Sequence, residues 1–371
     1  MFPIQVARLV EICYQKGIRQ VVVSPGSRSA PLTIGFVRHG GFTVRTISDE
    51  RSAAYVALGI AQATRQVVAL VSTSGTAAIN HAPAVAEAFY LQVPLLVLSA
   101  DRPSEWIDQQ DGQTVRQTML HQFHTKMSAQ LPTETHPDSL WFADRLVNEL
   151  INEALTYPCA PVHLNVPIRE PFYPAPEEVI DFRPQLPFPV KIISEEKSRL
   201  SLTTTQWQQL ADEWQQYPKK LVVVGQNWQE DLSPYLTLLD VPIVADVISN
   251  YVGINAINHH DLFSFCEELR PDLLITLGLS VLSKKLKLFL RTFKPKAHWH
   301  IAPSGKVADT YQSLTKVIRL HPTDFFKEIA SKDFQTSLAY RQAWQKAEQE
   351  AIEKIDEWKQ KLPFGELSAV A

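Results

Sequence analysis

Residues 19–29 read RQVVVSPGSRS: a β-branched run that ends at Pro25-Gly26, followed by a short segment in which serines flank Arg28. Three valines in succession predict a short strand buried on both faces, and Pro25-Gly26 predicts the turn that stops it. Upstream, Val6, Leu9, Val10 and Cys13 recur at helical spacing, with Pro3 suited to a first turn and Gly17 to a stop. Downstream, the same alternation continues. Strands are expected at Thr43 to Ile47, Val67 to Ser72, Leu95 to Ser99 and Val162 to Val166, with helices at Glu50 to Thr64 and Thr76 to Leu91. Continuous apolar strands alternating with helices predict an α/β fold with a parallel sheet covered on both sides, whose ligands sit at the carboxyl ends of the strands.

The 371 residues exceed one hydrophobic core, so at least two domains are expected. Nine of the 25 prolines fall between Pro158 and Pro189, which predicts an extended linker there. The expected division is residues 1–180, a linker at 181–195, a second domain at 196–335, and a closing helix at 336–371 that leads into a truncated third domain. In the second domain a helix around Trp207, Leu210, Ala211 and Trp214 precedes strands at Leu221 to Gly225, Ile243 to Val247, Leu273 to Leu277 and His298 to Ala302. This unit is also α/β, but Val224-Gly225-Gln226-Asn227 lacks the G-x-G-x-x-G fingerprint of a dinucleotide fold.

With 36 Lys+Arg against 39 Asp+Glu, the net charge of -3 gives no field to attract a polyanion, so nucleic acid is not an expected partner. Cys13, Cys159 and Cys266 form no C-x-x-C pair, so neither a disulfide framework nor a cysteine metal site is indicated, and a reducing cytoplasm is expected. No stretch reaches the roughly 18 apolar residues of a membrane span. G-x-S-x-G and Walker loops are absent, which removes the signatures of hydrolases and nucleoside triphosphatases.

Four loops lie at the predicted ligand edge. Ser24 to Ser29 combines hydroxyls, backbone N–H groups and Arg28, whose fork suits a carboxylate. Ser48-Asp49-Glu50-Arg51-Ser52 opens a helix, with Asp49 as its N-cap. Ser72-Thr73-Ser74-Gly75-Thr76 and Ser99-Ala100-Asp101-Arg102-Pro103 follow, with Gln113 and Arg116 on the polar segment after them. Weaker signals lie elsewhere. His298 and His300 share a strand face, where a strand edge is favoured over a metal site; His121 and His124, on an expected helix near the substrate segment, are expected at the surface or one layer behind the site, not as catalytic groups. Trp344 and Trp358, two heptads apart, predict a packing stripe.

The strings SPGSRSAPL, SDERSAAYVALGIA, STSGTAAIN, LLVLSADRP and DGQTVRQ resemble the 2-succinyl-5-enolpyruvyl-6-hydroxy-3-cyclohexene-1-carboxylate synthase family, thiamine diphosphate enzymes of menaquinone synthesis. The resemblance is strong over residues 1–170 and weak beyond. It implies a thiamine diphosphate-binding fold, with a pyrimidine-type first domain and a Rossmann-like middle domain. It implies that Glu50 is catalytic, hydrogen-bonding the aminopyrimidine of thiamine diphosphate, and that Pro25, Thr73, Ser74, Gly75 and Asn80 also meet the cofactor. It implies substrate contacts from Ser27, Arg28, Arg102 and Gln113. The reaction implied is decarboxylation of 2-oxoglutarate with addition to isochorismate, in a cytoplasmic homodimer.

Two departures stand out. Gly112 precedes Gln113 where the family often has Asn, and Lys285 stands where the middle domain often has Arg, which exchanges a fork for a point charge. The G-D-G motif that would hold Mg²⁺ and the diphosphate is not in the chain, whose one Asp-Gly pair is Asp111-Gly112. No residue is therefore assigned to metal, and the chain is expected to be a fragment or a separately encoded subunit. A subunit of another thiamine diphosphate-dependent 2-oxo acid decarboxylase or lyase, or a non-catalytic anion-binding or dimerising module, is the alternative.

Overall fold

The computed structural model describes residues 2–227, 231–330, 336–363 and 365. It divides into two compact units, Met1–Lys197 and Ser198–Ala371.

In the first unit the order is α1 (Ile4–Gln15), β1 (Gln20–Val23), α2 (Ala30–His39), β2 (Thr43–Thr46), α3 (Glu50–Thr64), β3 (Val68–Ser72), α4 (Thr76–Ile79), α5 (Ala82–Tyr90), β4 (Leu95–Asp101), β5 (Ser128–Gln130), α6 (Pro137–Leu155) and β6 (Val162–Pro167). The six strands run parallel in the order β2-β1-β3-β4-β6-β5. One face buries Val21, Val23, Val71 and Leu98 against α1, α2 and α6. The other is covered by α3, whose Ala53, Ala54, Ala57 and Ala61 are fully buried. Their small side chains let that helix lie close to the sheet. Strand order reverses between β1 and β3, and ligands of open parallel sheets bind at such a switch point, outside the carboxyl ends of the strands.

The helix expected from Thr76 to Leu91 is two helices. It breaks at Asn80-His81 because Pro83 occupies the first turn of α5, where a missing N–H is tolerated. His121 is buried and lies before a 3₁₀ turn at Gln122–His124, which corrects the helix expected there. From residue 168 to 203 the described chain has no helix or strand, as the prolines predict. It is strapped to the first unit by Arg8, which donates to the Phe188 and Pro189 carbonyls, and by Asn148, which bonds Lys191 and Ile193.

The second unit carries α7 (Thr204–Gln215), β7 (Lys220–Val224), α8 (Ser233–Leu236), β8 (Ile243–Ala245), β9 (Ala256–Ile257), β10 (Leu273–Leu277), α9 (Lys284–Thr292), β11 (Ala297–Ile301), β12 (Lys316–Ile318), α10 (Pro322–Ala330) and α11 (Leu338–Lys361). Its parallel sheet has the order β12-β11-β10-β7-β8-β9, the doubly wound pattern of Rossmann folds. Its switch point, between β7 and β10, is closed. Gln226 N donates to Ser280 O at 2.8 Å, Leu279 N donates to Gln226 O at 2.8 Å, and a Cβ on Gly225 would stand 2.5 Å from Leu279 O. Asp246, just past β8, occupies the place of a ribose-binding acid, yet its carboxylate accepts from the backbone of Ile248, Leu282 and Ser283. A dinucleotide would find no open crevice and no free acid there.

Strand β11 is interior, which corrects the expected strand edge. His298 and His300 do share a face, where both imidazoles bond Thr276 Oγ1 at 2.9 Å. The tryptophan stripe on α11 holds for Trp344, which is fully buried against Phe263, Phe265 and Phe289, and fails for Trp358, which is 52% exposed. The helix runs on past the last aromatic partner of Trp344, and a period of 3.6 drifts from a strict heptad. The closing helix, expected within 336–371, runs from Leu338 to Lys361; residues 331–335 before it lie outside the described residues. So does most of the stretch expected to open a third domain, with only 362, 363 and 365 described.

Candidate functional site

Ser24 follows β1 directly and its N–H bonds Val71 O at 2.9 Å, so the loops after β1 and β3 leave the sheet side by side at the switch point. Gly26 faces Thr73 so closely that a Cβ would lie 2.5 Å from the Thr73 Cβ. Only glycine permits this approach. Pro25 and Ser27 are exposed at the rim, and Ser29 turns inward to donate to Gly26 O at 3.1 Å. The buried hydroxyls of Ser24 and Ser72 have no partner among the described residues.

Arg28 is half-buried and pre-oriented. Its Nη1 donates to Ile168 O at 2.9 Å and its guanidinium lies 4.4 Å from the centre of the Phe172 ring, which leaves one edge of the fork unused by these two contacts. Burial, together with the Arg102 charge, holds its pKa below the ordinary arginine value. Arg102, one residue past β4, is held by three partners: Asp111 accepts from Nε, Ser74 Oγ accepts from Nη1 at 3.0 Å, and Gln113 O accepts from Nη1 at 3.1 Å. The hydrogen bond from Arg102 keeps the Asp111 carboxyl below its usual range. Two guanidiniums close enough to affect each other make a site for an anion with more than one carboxylate.

Gly75 adopts φ +82°, a left-handed conformation that a side chain resists, and its added Cβ would meet Gln113 O at 3.0 Å. Gln113 itself has φ +54° with an exposed side chain, so the chain is bent to bring its carbonyl to Arg102. Asn80 caps the short α4 and donates to Thr76 O at 3.3 Å. Glu50 opens α3 beside this edge, half-buried, and Asp49 caps the helix by accepting from Ser52 N at 2.7 Å. Cap and candidate acid are adjacent: Asp49 fixes the helix start, and the start fixes Glu50.

The structure thus brings together Pro25, Ser27, Arg28, Thr73, Ser74, Gly75, Arg102 and Gln113, with Glu50 at the start of α3, after the β2 loop, and Asn80 at the end of α4. Lys285 lies in the second unit, exposed in the first turn of α9. Sequence reasoning missed Asp101, Gln117, Phe172 and Asn165. Gln117 closes the quoted string DGQTVRQ and Asp101 sits within ADRP, so a polar residue buried beside each arginine was findable; Phe172 and Asn165 leave no local signal.

A cavity of about 500 Å³ lies at the other, amino-terminal edge of the sheet, between Glu11, Tyr14, His39 and Arg183, away from this chemistry. Glycine cradles and unpartnered buried hydroxyls at the switch point fit the close approach of a flat heterocycle, and Glu50 is a carboxyl that such a ring could use. Among the described residues no group of three His, Cys, Asp or Glu could hold a metal ion, and no helix is long and apolar enough to cross a membrane.

The thiamine pyrophosphate enzyme, N-terminal TPP-binding domain family matches residues 6–127. Over 97% of its length the chain is 40% identical to a 2-succinyl-5-enolpyruvyl-6-hydroxy-3-cyclohexene-1-carboxylate synthase of Cytophaga hutchinsonii, covering 65% of that protein. A synthase of the same name from Flavobacterium psychrophilum is 39% identical over 87% of the chain and 58% of its own length. One from Desulfotalea psychrophila is 35% identical over 95% of the chain and 67% of its own length. The chain spans roughly 60% of the length of most of the curated relatives it matches.

Proposed function

The chain belongs to the 2-succinyl-5-enolpyruvyl-6-hydroxy-3-cyclohexene-1-carboxylate synthase family, and from that premise we propose that a complete polypeptide of this family carrying this chain decarboxylates 2-oxoglutarate and joins the four-carbon remainder to isochorismate, with thiamine diphosphate as cofactor. When bound, thiamine diphosphate supplies the electron sink for this carbon–carbon chemistry. The residues of this chain bind, orient and move protons. Glu50, fixed at the first turn of α3, holds a proton between its carboxyl and the ring nitrogen of the aminopyrimidine. Pro25, Thr73, Ser74, Gly75 and Asn80 form the wall against the heterocycle. Ser27, Arg28, Arg102 and Gln113 hold the carboxylates. Both substrates are polyanions while the chain carries only -3 overall, so local arginines, not global charge, must recognise them.

One observation carries this reading: the switch point of the first sheet gathers Gly26, Thr73 to Gly75, Arg28 and Arg102 on one edge, with Glu50 at the start of α3. Mg²⁺ and the diphosphate would be held by residues in the part of the relatives that this chain does not match. Pro25, Ser27 and Gln113 are exposed, which suits a homodimer in which a second subunit completes the site. Tyr55 of α3, Ile79 of α4, Tyr90 of α5 and Phe123 beyond it offer an exposed apolar face for that contact. Lys285 is proposed as a further contact for a substrate carboxylate.

Glu50→Gln tests the reading. In the complete polypeptide with thiamine diphosphate, Mg²⁺ and both substrates, turnover should fall by roughly 10²–10⁴, the scale of a lost proton-transfer partner. Near-normal turnover in the variant removes Glu50 from its role, and an unmodified protein that leaves both substrates unchanged removes the reading itself.

A further inference from the structure

We propose that Gln117 is a positioning residue: its buried amide, backed by Asn165 and Asp101, ties the Gly75 backbone and the Arg102 guanidinium into one rigid edge of the site. Gln117 is 1% exposed and is used from both ends. Its Oε1 accepts from Gly75 N at 2.7 Å, and its Nε2 donates to Ala100 O at 3.1 Å and Asn165 Oδ1 at 3.0 Å. The partners dictate the amide's orientation, since a backbone N–H must meet oxygen and two carbonyls must meet nitrogen.

Asn165, fully buried on β6, passes the constraint on. Its Nδ2 donates to Asp101 Oδ2 at 2.8 Å and to Gln130 Oε1 at 3.0 Å. Asp101 ends β4, and its Oδ1 accepts from Arg102 N at 2.8 Å. Arg102 Nη1 then reaches Ser74 Oγ at 3.0 Å, beside Gly75. Six residues from four chain segments therefore form a closed circuit: Ser74, Gly75, Gln117, Asn165, Asp101 and Arg102. Burial pushes the Asp101 carboxyl up from its ordinary value, so the hydrogen bonds from Asn165 and from the Arg102 backbone are what keep an acceptor in place. A circuit buried in low dielectric is rigid when fully satisfied and loosens as a unit when one member is lost.

What the circuit holds in register are a glycine proposed to wall the cofactor and an arginine proposed to bind substrate carboxylate. The kinetic part of the inference rests on the proposed activity; the structural part does not. Gln117→Leu removes both ends of the amide, whereas Gln117→Glu keeps an oxygen for Gly75 N and loses the donor toward Asn165.

Both variants are made in the complete polypeptide. Hydrogen exchange is followed at Gly75 and, as a control, at Leu273 to Leu277 in the second unit. Gln117→Leu should raise the Gly75 exchange rate about tenfold or more, and raise the KM of at least one carboxylate substrate by a similar factor with a smaller change in kcat. Gln117→Glu should restore Gly75 protection while KM stays raised. Unchanged Gly75 exchange in Gln117→Leu overturns the proposal. So does exchange that rises equally in the control strand, with kcat lost and KM unmoved, because that pattern marks general destabilisation. If Gln117→Leu does not fold, Gln117→Glu decides by itself: raised KM with Gly75 protected supports the proposal, and unchanged KM overturns it. If the unmodified protein turns over neither substrate, the proposed activity fails, and Gly75 exchange still decides the positioning role.

Discussion

Arg28 shows how much a single side chain depends on what fixes it. A free guanidinium loses rotamer entropy on meeting a carboxylate, but here the Ile168 carbonyl and the Phe172 ring have already set its plane. Arg28→Lys keeps the charge and loses both the fork and the flat face against Phe172. The KM for a carboxylate substrate is expected to rise about tenfold, the equivalent of one lost charge-assisted hydrogen bond, with melting temperature unchanged. Steady-state kinetics with each substrate checks this, and equal KM values would show that charge alone suffices. The arginine's residue type and loop were legible in the sequence. Its two supports were not, because Ile168 and Phe172 lie 140 or more positions away and meet it only after the chain returns past β6.

Pairing of elements follows the same logic. Helices α1 and α6 meet through Arg8 and Asp144, a buried bidentate pair with Nε–Oδ1 at 2.8 Å and Nη2–Oδ2 at 2.5 Å. The spare donor of Arg8 and the neighbouring Asn148 hold the proline-rich strap. Asp144→Ala would leave a buried cation without its partner, which costs about 3–5 kcal/mol. Denaturant unfolding should show that loss, and limited proteolysis should show faster cleavage between residues 184 and 196. A strap equally resistant in the variant would mean that its proline content alone holds it. The helix pattern of α1 was readable from Val6, Leu9, Val10 and Cys13, yet nothing local marked Arg8 as buried, since its charge matches a surface position in any periodicity count.

For the whole molecule, acid should be the revealing variable. His81, His121 and His163 are packed together under α4 and α5, with burial pushing them down to about 3, 4 and 3, and His298 in the second unit is pushed down to about 4. Each therefore binds a proton in the unfolded chain before it does so in the folded one. Their contribution to stability is complete above the unfolded value near 6.5 and is lost as pH falls from there toward the folded values. By pH 5 the loss is about 2 kcal/mol per histidine. The denaturant midpoint is expected to fall sharply between pH 7.5 and pH 5, and a flat midpoint would mean that these imidazoles open to water well before unfolding.

By itself the sequence determined the alternation of strand and helix, the parallel sheets, and which loops leave the carboxyl ends of the strands, among them those that carry Arg28, Glu50, Gly75 and Arg102. All of these are local: valine runs, caps, glycine turns and the residue just past a strand end obey short-range sterics. Only the tertiary structure decided which loops touch, that the second unit's switch point is shut where Gly225 and Gln226 meet Leu279 and Ser280, and that Gln117 and Asn165 lock Gly75 to Arg102. These features come from strand order, and strand order is settled by which faces of distant segments bury each other, a balance that no window of neighbouring residues contains.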